Sequence, residues 1–272
     1  MHNPFVPETL EGWSVLHLMY RVRWNQMRDA TPETCATLAD EAVGALAVPD
    51  GGATAFVQML GHKADLMIVC FRRSFDALAA AQLALSRTRL HEHLAPTTSY
   101  VSIVELGLYE MTAKIHEQLG AKHKPGSEEF ERAFDAEMET QRQRVMTRLF
   151  IEVPQRRYVC FYPMNKRRGE SLNWYSESFG RRASMMREHG MIGRTYAGRV
   201  TQVISGSIGY DDWEWGVDLF ADDPVVFKKL IYEMRFDEAS AKFAEFGPFY
   251  TGLQFAPSHL AAFLGGVMPA LT

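Results

Sequence analysis

The sequence predicts an α+β protein built from two ferredoxin-like units, each with the order β-α-β-β-α-β, packed as a barrel-like dimeric α+β body. Three observations predict this. Short stretches with period-two apolar alternation are separated by stretches with helical spacing. The order of these stretches is the same in both halves of the 272 residues. Finally, "LGHKADLMIVCFRRSFDAL" matches "IGYDDWEWGVDLFADDPVVF" by pattern, each with a glycine, a turn, a strand and a capped helix. A single unit of this kind leaves one sheet face uncovered, and a second unit can cover it.

In the first half, "GWSVLHLMYRV" (12–22) predicts a strand. Residues 31–47 predict a helix, with Thr31 as its N-cap and Pro32 in its first turn. Two strands follow, 53–61 and 64–72, joined by the short turn "HK". A long helix over 74–94 has Ser74 as cap, and 98–109 is the last strand. In the second half, "RYVCFYPM" is a strand and 178–190 a helix, with Gly190 as its stop. Strands are expected at 198–209 and 212–221, a single helix at 223–244 capped by Asp223, and a closing strand at 248–256. This divides the chain into an N-terminal unit (1–110), a charged linker (111–150) and a C-terminal unit (151–272). The linker contains "KPGS" and has helical character from about residue 127 to 148. It is either a solvated connection with one or two surface helices or a flap whose end, 144–150, reaches a ligand.

Bulk properties exclude several classes. With 29 Lys and Arg against 33 Asp and Glu, the chain carries no basic surplus for nucleic acid. No window approaches the ~20 apolar residues of a membrane span, and the opening "MHNPFVPETLEGW" holds no apolar run of signal-peptide length. Cys35, Cys70 and Cys160 are odd in number and far apart, without metal or disulfide spacing. They read as small core hydrophobes in a reducing cytoplasm. There is no glycine-rich phosphate loop, no GxSxG and no HExxH. "HEH" at 91–93 reads as a solvated turn, and His17 as a core or interface histidine.

The stretch "RRYVCFYPMNKRR" (156–168) carries the most chemistry. Period two places Tyr158, Cys160, Tyr162, Met164 and Lys166 on one face, and Val159, Phe161, Pro163 and Asn165 on the other. Taken singly, a strand tyrosine is packing and a lysine past a strand is solvated. Taken together, an apolar pocket for an anion needs cations at its rim, which Arg148, Lys166, Arg167 and Arg168 can supply. His189 falls at a helix end among Met185, Met186 and Met191. It is a helix-dipole partner or a single axial haem ligand, and spacing alone does not choose.

"YVCFYPMNKRR", "NWY", "REHGMIGRTYAGRV", "GSIGYDDWEWGVDLF" and "KKLIYEMRFDEASAKFAEFGPFY" together resemble the coproheme decarboxylases of the chlorite-dismutase-like superfamily, in their Firmicutes-type branch. The resemblance is strongest over about 157–250. It implies a porphyrin in the C-terminal unit, a homopentamer and a transient contact with a ferrochelatase. The implied reaction oxidises two propionates of iron coproporphyrin III to vinyl groups with hydrogen peroxide, giving haem b and carbon dioxide. The resemblance assigns His189 as axial iron ligand, Tyr162 as the radical-forming tyrosine, and Lys166 as a propionate anchor that aids the second decarboxylation. It assigns Met164, Arg148 and Ser240 to the substrate pocket and Gln202 to the distal side, where true chlorite dismutases have arginine. A haem peroxidase or chlorite-dismutase-like enzyme on the same fold, or a haem-binding or delivery protein without turnover, stand as alternatives. The linker over 111–143 is longer and more charged than the resemblance leads one to expect.

Overall fold

The computed structural model describes residues 6–48 and 51–272. The opening stretch, read as holding no apolar run of signal-peptide length, begins in residues 1–5, outside the described residues. The first half runs β1 (Thr9–Val22), α1 (Trp24–Met27), α2 (Pro32–Ala45), β2 (Ala53–Met59), β3 (Leu66–Arg72), α3 (Phe75–Ser86), α4 (Arg89–Glu92) and β4 (Leu94–Gly107). Two helices follow, α5 (Tyr109–Gly120) and α6 (Glu128–Leu149). The second half runs β5 (Tyr158–Lys166), α7 (Phe179–Thr195), β6 (Thr201–Gly206), β7 (Trp215–Ala221), α8 (Val225–Met234), α9 (Glu238–Phe243), β8 (Ala244–Phe246), β9 (Tyr250–Phe255) and α10 (Leu260–Leu264).

Each half forms a four-stranded antiparallel sheet with the same arrangement, β4-β1-β3-β2 and β9-β5-β7-β6. The units join edge to edge rather than face to face. β2 pairs with β9 from Phe56↔Phe255 to Met59↔Gly252, and β4 pairs with β6 at Ile103↔Gly206. Because β5 pairs with both β7 and β9, the eight strands close into a ring. An open edge would expose unpaired amides and carbonyls, and closure removes those edges.

Period two then sorts the side chains. Inward residues, among them Val15, Met67, Val159, Phe161 and Phe220, form a core inside the ring. Outward residues of the first unit pack under α2 and α3, and those of the second under α7 and α8. His17 is fully buried inside the ring. Its Nε2 lies 3.0 and 3.1 Å from the two carboxylate oxygens of Asp218, and its ring stacks on Phe161 at 4.1 Å. It is a core histidine that ties β1 of one unit to β7 of the other.

Several boundaries differ from the sequence expectation. The helix expected over 74–94 breaks after Ser86, and β4 begins at Leu94. Pro96 is tolerated there because the β1–β4 register shifts between Met19 and Tyr20. The helix expected over 223–244 is two helices. Asp237 takes an extended backbone and caps α9 by accepting from the Ser240 amide at 2.8 Å. The helix given a stop at Gly190 continues to Thr195, so Gly190 is helical rather than a cap. All three cysteines are free and buried.

At the β2–β9 seam, a Cβ on Gly252 would overlap the Gln58 carbonyl oxygen. Gly252→Ala is expected to lower stability by about 2 kcal/mol or more. Gly44→Ala, where nothing lies within 4 Å in α2, should be neutral or stabilise by up to ~1 kcal/mol. Urea midpoints of the two variants check both.

Candidate functional site

The site forms on the outer face of the second sheet and under its helices. Strand β5 brings Cys160, Tyr162 and Met164 outward, as the alternation predicts, and all three join the apolar cluster under α8. Tyr162 is 3 % exposed, with its ring stacked on Phe249 at 4.7 Å and tilted against Phe246 at 5.8 Å. Burial pushes its phenol pKa well above the ordinary value, and Cys160 adds to the shift while Arg235 opposes it. The phenol proton therefore stays in place at neutral pH. Cross-strand pairing sets Tyr162 beside Val217 and Met164 beside Trp215. Gln202 pairs with Leu219 on the neighbouring ladder and is exposed on the same outer face.

Lys166, at the end of β5, is not solvated. It is 8 % exposed, its Nζ donates to the Ala239 carbonyl at 3.1 Å, and the ammonium lies 4.4 Å over the Trp174 ring. Trp174 is itself buried and held edge-on by Phe243 at 5.5 Å. Burial pulls the Lys166 pKa down to about 8, against the opposing carboxylates of Asp237 and Glu214. Arg167 and Arg168 are 40 % and 62 % exposed, with Glu245 at 3.3 Å and Glu214 at 3.7 Å. The Arg167–Glu245 pair is exposed on both sides and contributes little to stability, whereas the Arg168 partner Glu214 is buried.

His189 lies inside α7 rather than at its end. Its Nδ1 donates to the Asp237 carboxylate at 2.9 Å, with the Ser240 hydroxyl 3.3 Å away. Burial alone would raise the Asp237 pKa. The hydrogen bond and charge of His189, with the amide and hydroxyl of Ser240, outweigh it and bring the pKa below the ordinary carboxylate value. Because Nδ1 is occupied, Nε2 is the nitrogen left for a ligand. The imidazole is 26 % exposed, and nothing lies within 4 Å of where a Gly190 Cβ would be. One carboxylate-oriented histidine on an open helix surface fits a single axial bond to a haem iron. No group of three or more His, Cys, Asp or Glu able to hold a bare metal ion occurs among the described residues.

The structure thus brings Lys166, His189 and Ser240 together around Asp237, with Tyr162 and Met164 on the adjoining strand. It does not bring Arg148 to them: Arg148 is an exposed residue in the last turn of α6. Sequence reasoning missed Asp237, Trp174 and Glu214. The signal for Asp237 was present in "RFDEAS", where Asp, an acidic first turn and Ser three residues later mark a new helix start. Trp174 and Glu214 lie inside the motifs "NWY" and "GSIGYDDWEWGVDLF", but no local pattern marks either as a partner of Lys166.

The fold is a closed α+β ring of two repeated units with a histidine–carboxylate pair on its outer side, and comparison places it. The chlorite dismutase family matches residues 28–255, so the chain belongs to that family. Among curated relatives, the coproheme decarboxylase of Staphylococcus saprophyticus is 41 % identical over 255 residues, covering 92 % of this chain and 94 % of its own. Among solved structures, a haem-binding protein of Thermus thermophilus aligns with a TM-score of 0.80 and 41 % identity, covering 97 % of this chain and all of its own. A chlorite dismutase variant from Candidatus Nitrospira defluvii aligns with a TM-score of 0.70 at 16 % identity over 94 % of this chain and 95 % of its own, which shows the shared fold. Among the described residues, no helix is long and apolar enough to cross a membrane.

Lys166 yields a stability prediction. Its folded pKa of about 8 lies below the ordinary 10.5, so between those values the unfolded chain binds more protons. Stability therefore rises with pH through that window, and the cost of the buried ammonium is fully present below it. Lys166→Met should raise the melting temperature at neutral pH, and the gain should shrink as pH rises above about 8. Thermal melts across that range decide it.

Proposed function

We propose that this protein oxidatively decarboxylates two propionates of iron coproporphyrin III to vinyl groups with hydrogen peroxide, giving haem b. The observation that carries this is one outer face holding Tyr162 and Met164, with Lys166 and the His189–Asp237 pair beside it. Its support is a relative named coproheme decarboxylase, 41 % identical over nearly the whole chain. When bound, the iron porphyrin supplies both the reacting propionates and the redox centre that reduces peroxide. In each turnover one propionate, one hydrogen peroxide and one proton become one vinyl group, one carbon dioxide and two waters.

His189 holds the iron through Nε2, and Asp237 sets the tautomer and raises the basicity of the ring. Tyr162 gives up one electron and its phenol proton, then takes a hydrogen atom from the propionate carbon next to the ring. A second electron leaves as the carbon–carboxylate bond breaks, so the vinyl group forms and carbon dioxide departs. Burial suits Tyr162 to this task because the phenol proton leaves only with the electron. Lys166 pairs with a propionate as an ammonium. With a pKa of about 8 it also has a proton to give. Met164 packs beside the reacting propionate, Ser240 binds a carboxylate, Arg148 reaches another from the exposed last turn of α6, apart from the Asp237 cluster, and Gln202 stays neutral on the distal side. The pigment belongs to the unit spanning 151–272, with 1–110 as its partner unit and 111–150 as linker. We place the enzyme in the cytoplasm, as a homopentamer that receives its substrate through transient contact with a ferrochelatase.

The test is to add peroxide in steps to the purified protein with iron coproporphyrin III and to follow pigment mass and released carbon dioxide. Loss of two carboxyl groups per pigment is expected, and an unchanged pigment overturns the proposal. Tyr162→Phe should bind pigment with affinity within about threefold of the parent and slow turnover by about 100-fold or more. Normal turnover would remove Tyr162 as the radical. His189→Ala should alter the ferric absorption spectrum, and an unchanged spectrum would remove His189 as the ligand.

A further inference from the structure

The face that carries Tyr162, Met164 and Gln202 is completed by a residue of the first unit. Glu105 lies on β4 one position beyond the inward-facing Val104, so it points outward. Strand β4 meets the second unit at Ile103↔Gly206. There the Glu105 side chain leans across β6, and its carboxyl accepts a hydrogen bond from Trp215 Nε1 on β7 at 2.7 Å. Gly206 makes this reach possible, because a Cβ at that position would overlap the Glu105 carboxyl. Trp215 in turn pairs with Met164 on β5. Glu105, Trp215 and Met164 therefore form one row on the outer face, drawn from strands of both units.

Apart from the Trp215 donor, the surroundings of Glu105 disfavour a negative charge. Glu11 stands directly opposite on β1, and its own counter-ion is Arg142 of α6 at 3.8 Å. Like charges directly opposite in a ladder repel. Tyr109 of α5 and Tyr100 of β4 are the other titratable groups that feel Glu105. No Lys or Arg pairs with Glu105 among the described residues. Burial raises its carboxyl above the ordinary range, the Trp215 bond opposes this, and Glu11 adds to it. Glu105 remains partly exposed, so a ligand on this face can reach it.

We propose that Glu105 is a specificity residue of the reaction face, where it shares a proton in a hydrogen bond with a carboxylate of the tetra-acidic porphyrin. The proposal rests on the decarboxylase reading of the site. A carboxyl-to-carboxylate hydrogen bond is charge-assisted, so a ligand must bring its own negative charge to gain it. The substrate has four carboxylates and the product two. Glu105 therefore favours substrate over product, and its ionisation replaces the bond by repulsion.

The test titrates the full-length protein with iron coproporphyrin III and with haem b, followed by absorbance from mildly acid to mildly alkaline pH. The parent protein should lose about tenfold in affinity for iron coproporphyrin III per unit of pH once Glu105 ionises, and less for haem b. Glu105→Gln keeps an oxygen acceptor for Trp215 but has no proton to lose, so this part of the pH dependence should vanish. Gly206→Ala fills the gap and should abolish it as well. As an independent readout, the pigment-free parent should keep a protonated-carboxyl infrared band to higher pH than its solvent-exposed carboxylates do, a band that Glu105→Gln lacks. Identical pH dependence in the parent and Glu105→Gln, or no such band, overturns the assignment of Glu105 and leaves the decarboxylase reading standing. Failure of both proteins to bind iron coproporphyrin III overturns that reading and this proposal with it.

Discussion

Closure of the strand ring is the constraint from which the rest follows. Strand β5 hydrogen-bonds to β7 on one side and to β9 on the other, while β2–β9 and β4–β6 join the two units. With its edges paired, each strand has one side chain inside the ring and the next outside. The inward face must be filled by the ring itself, and His17 against Asp218 shows that even its polar groups find partners across the units. The outward faces are left to the helices. A cofactor-sized site can therefore form only between an outer sheet face and its helices, and only the second unit sets Tyr162, Lys166 and His189 there.

Asp237 organises that side of the molecule. It caps α9, orients His189 and places a negative charge near Lys166. One buried carboxylate thus links the proposed iron ligand to the proposed propionate anchor. The break between α8 and α9 creates this position, because a continuous helix would place residue 237 mid-helix without a free amide to cap. Holding an ammonium and a phenol out of water is unfavourable for folding, yet it gives each the proton affinity that the proposed chemistry uses. The apolar packing of Phe246, Phe249 and Trp174 around them offsets part of that cost.

The junction between the units is more than a structural seam. Gly206 lets a carboxyl from β4 lie over β6 and meet Trp215 beside Met164. The first unit thereby contributes to a face otherwise built by the second. Duplicated units joined edge to edge place residues from both on one continuous surface, which two units stacked face to face would not do.

Local pattern in the sequence determined the element types, their repeated order and the shared face of Tyr158, Cys160, Tyr162 and Met164, because period two and helix caps are short-range properties. Family motifs pointed to His189, Tyr162 and Lys166. Helix ends were less legible: Gly190 reads as a stop until tertiary packing carries α7 through it, and the α8–α9 break hides in a run of helix formers. Only the tertiary structure decided how the units join, that Lys166 is buried against Trp174, that Asp237 holds His189, and that Glu105 reaches Trp215. His189 meets Asp237 across 48 positions, Glu105 meets Trp215 across 110, and Lys166 meets Trp174 across an irregular loop, and no local periodicity encodes such meetings.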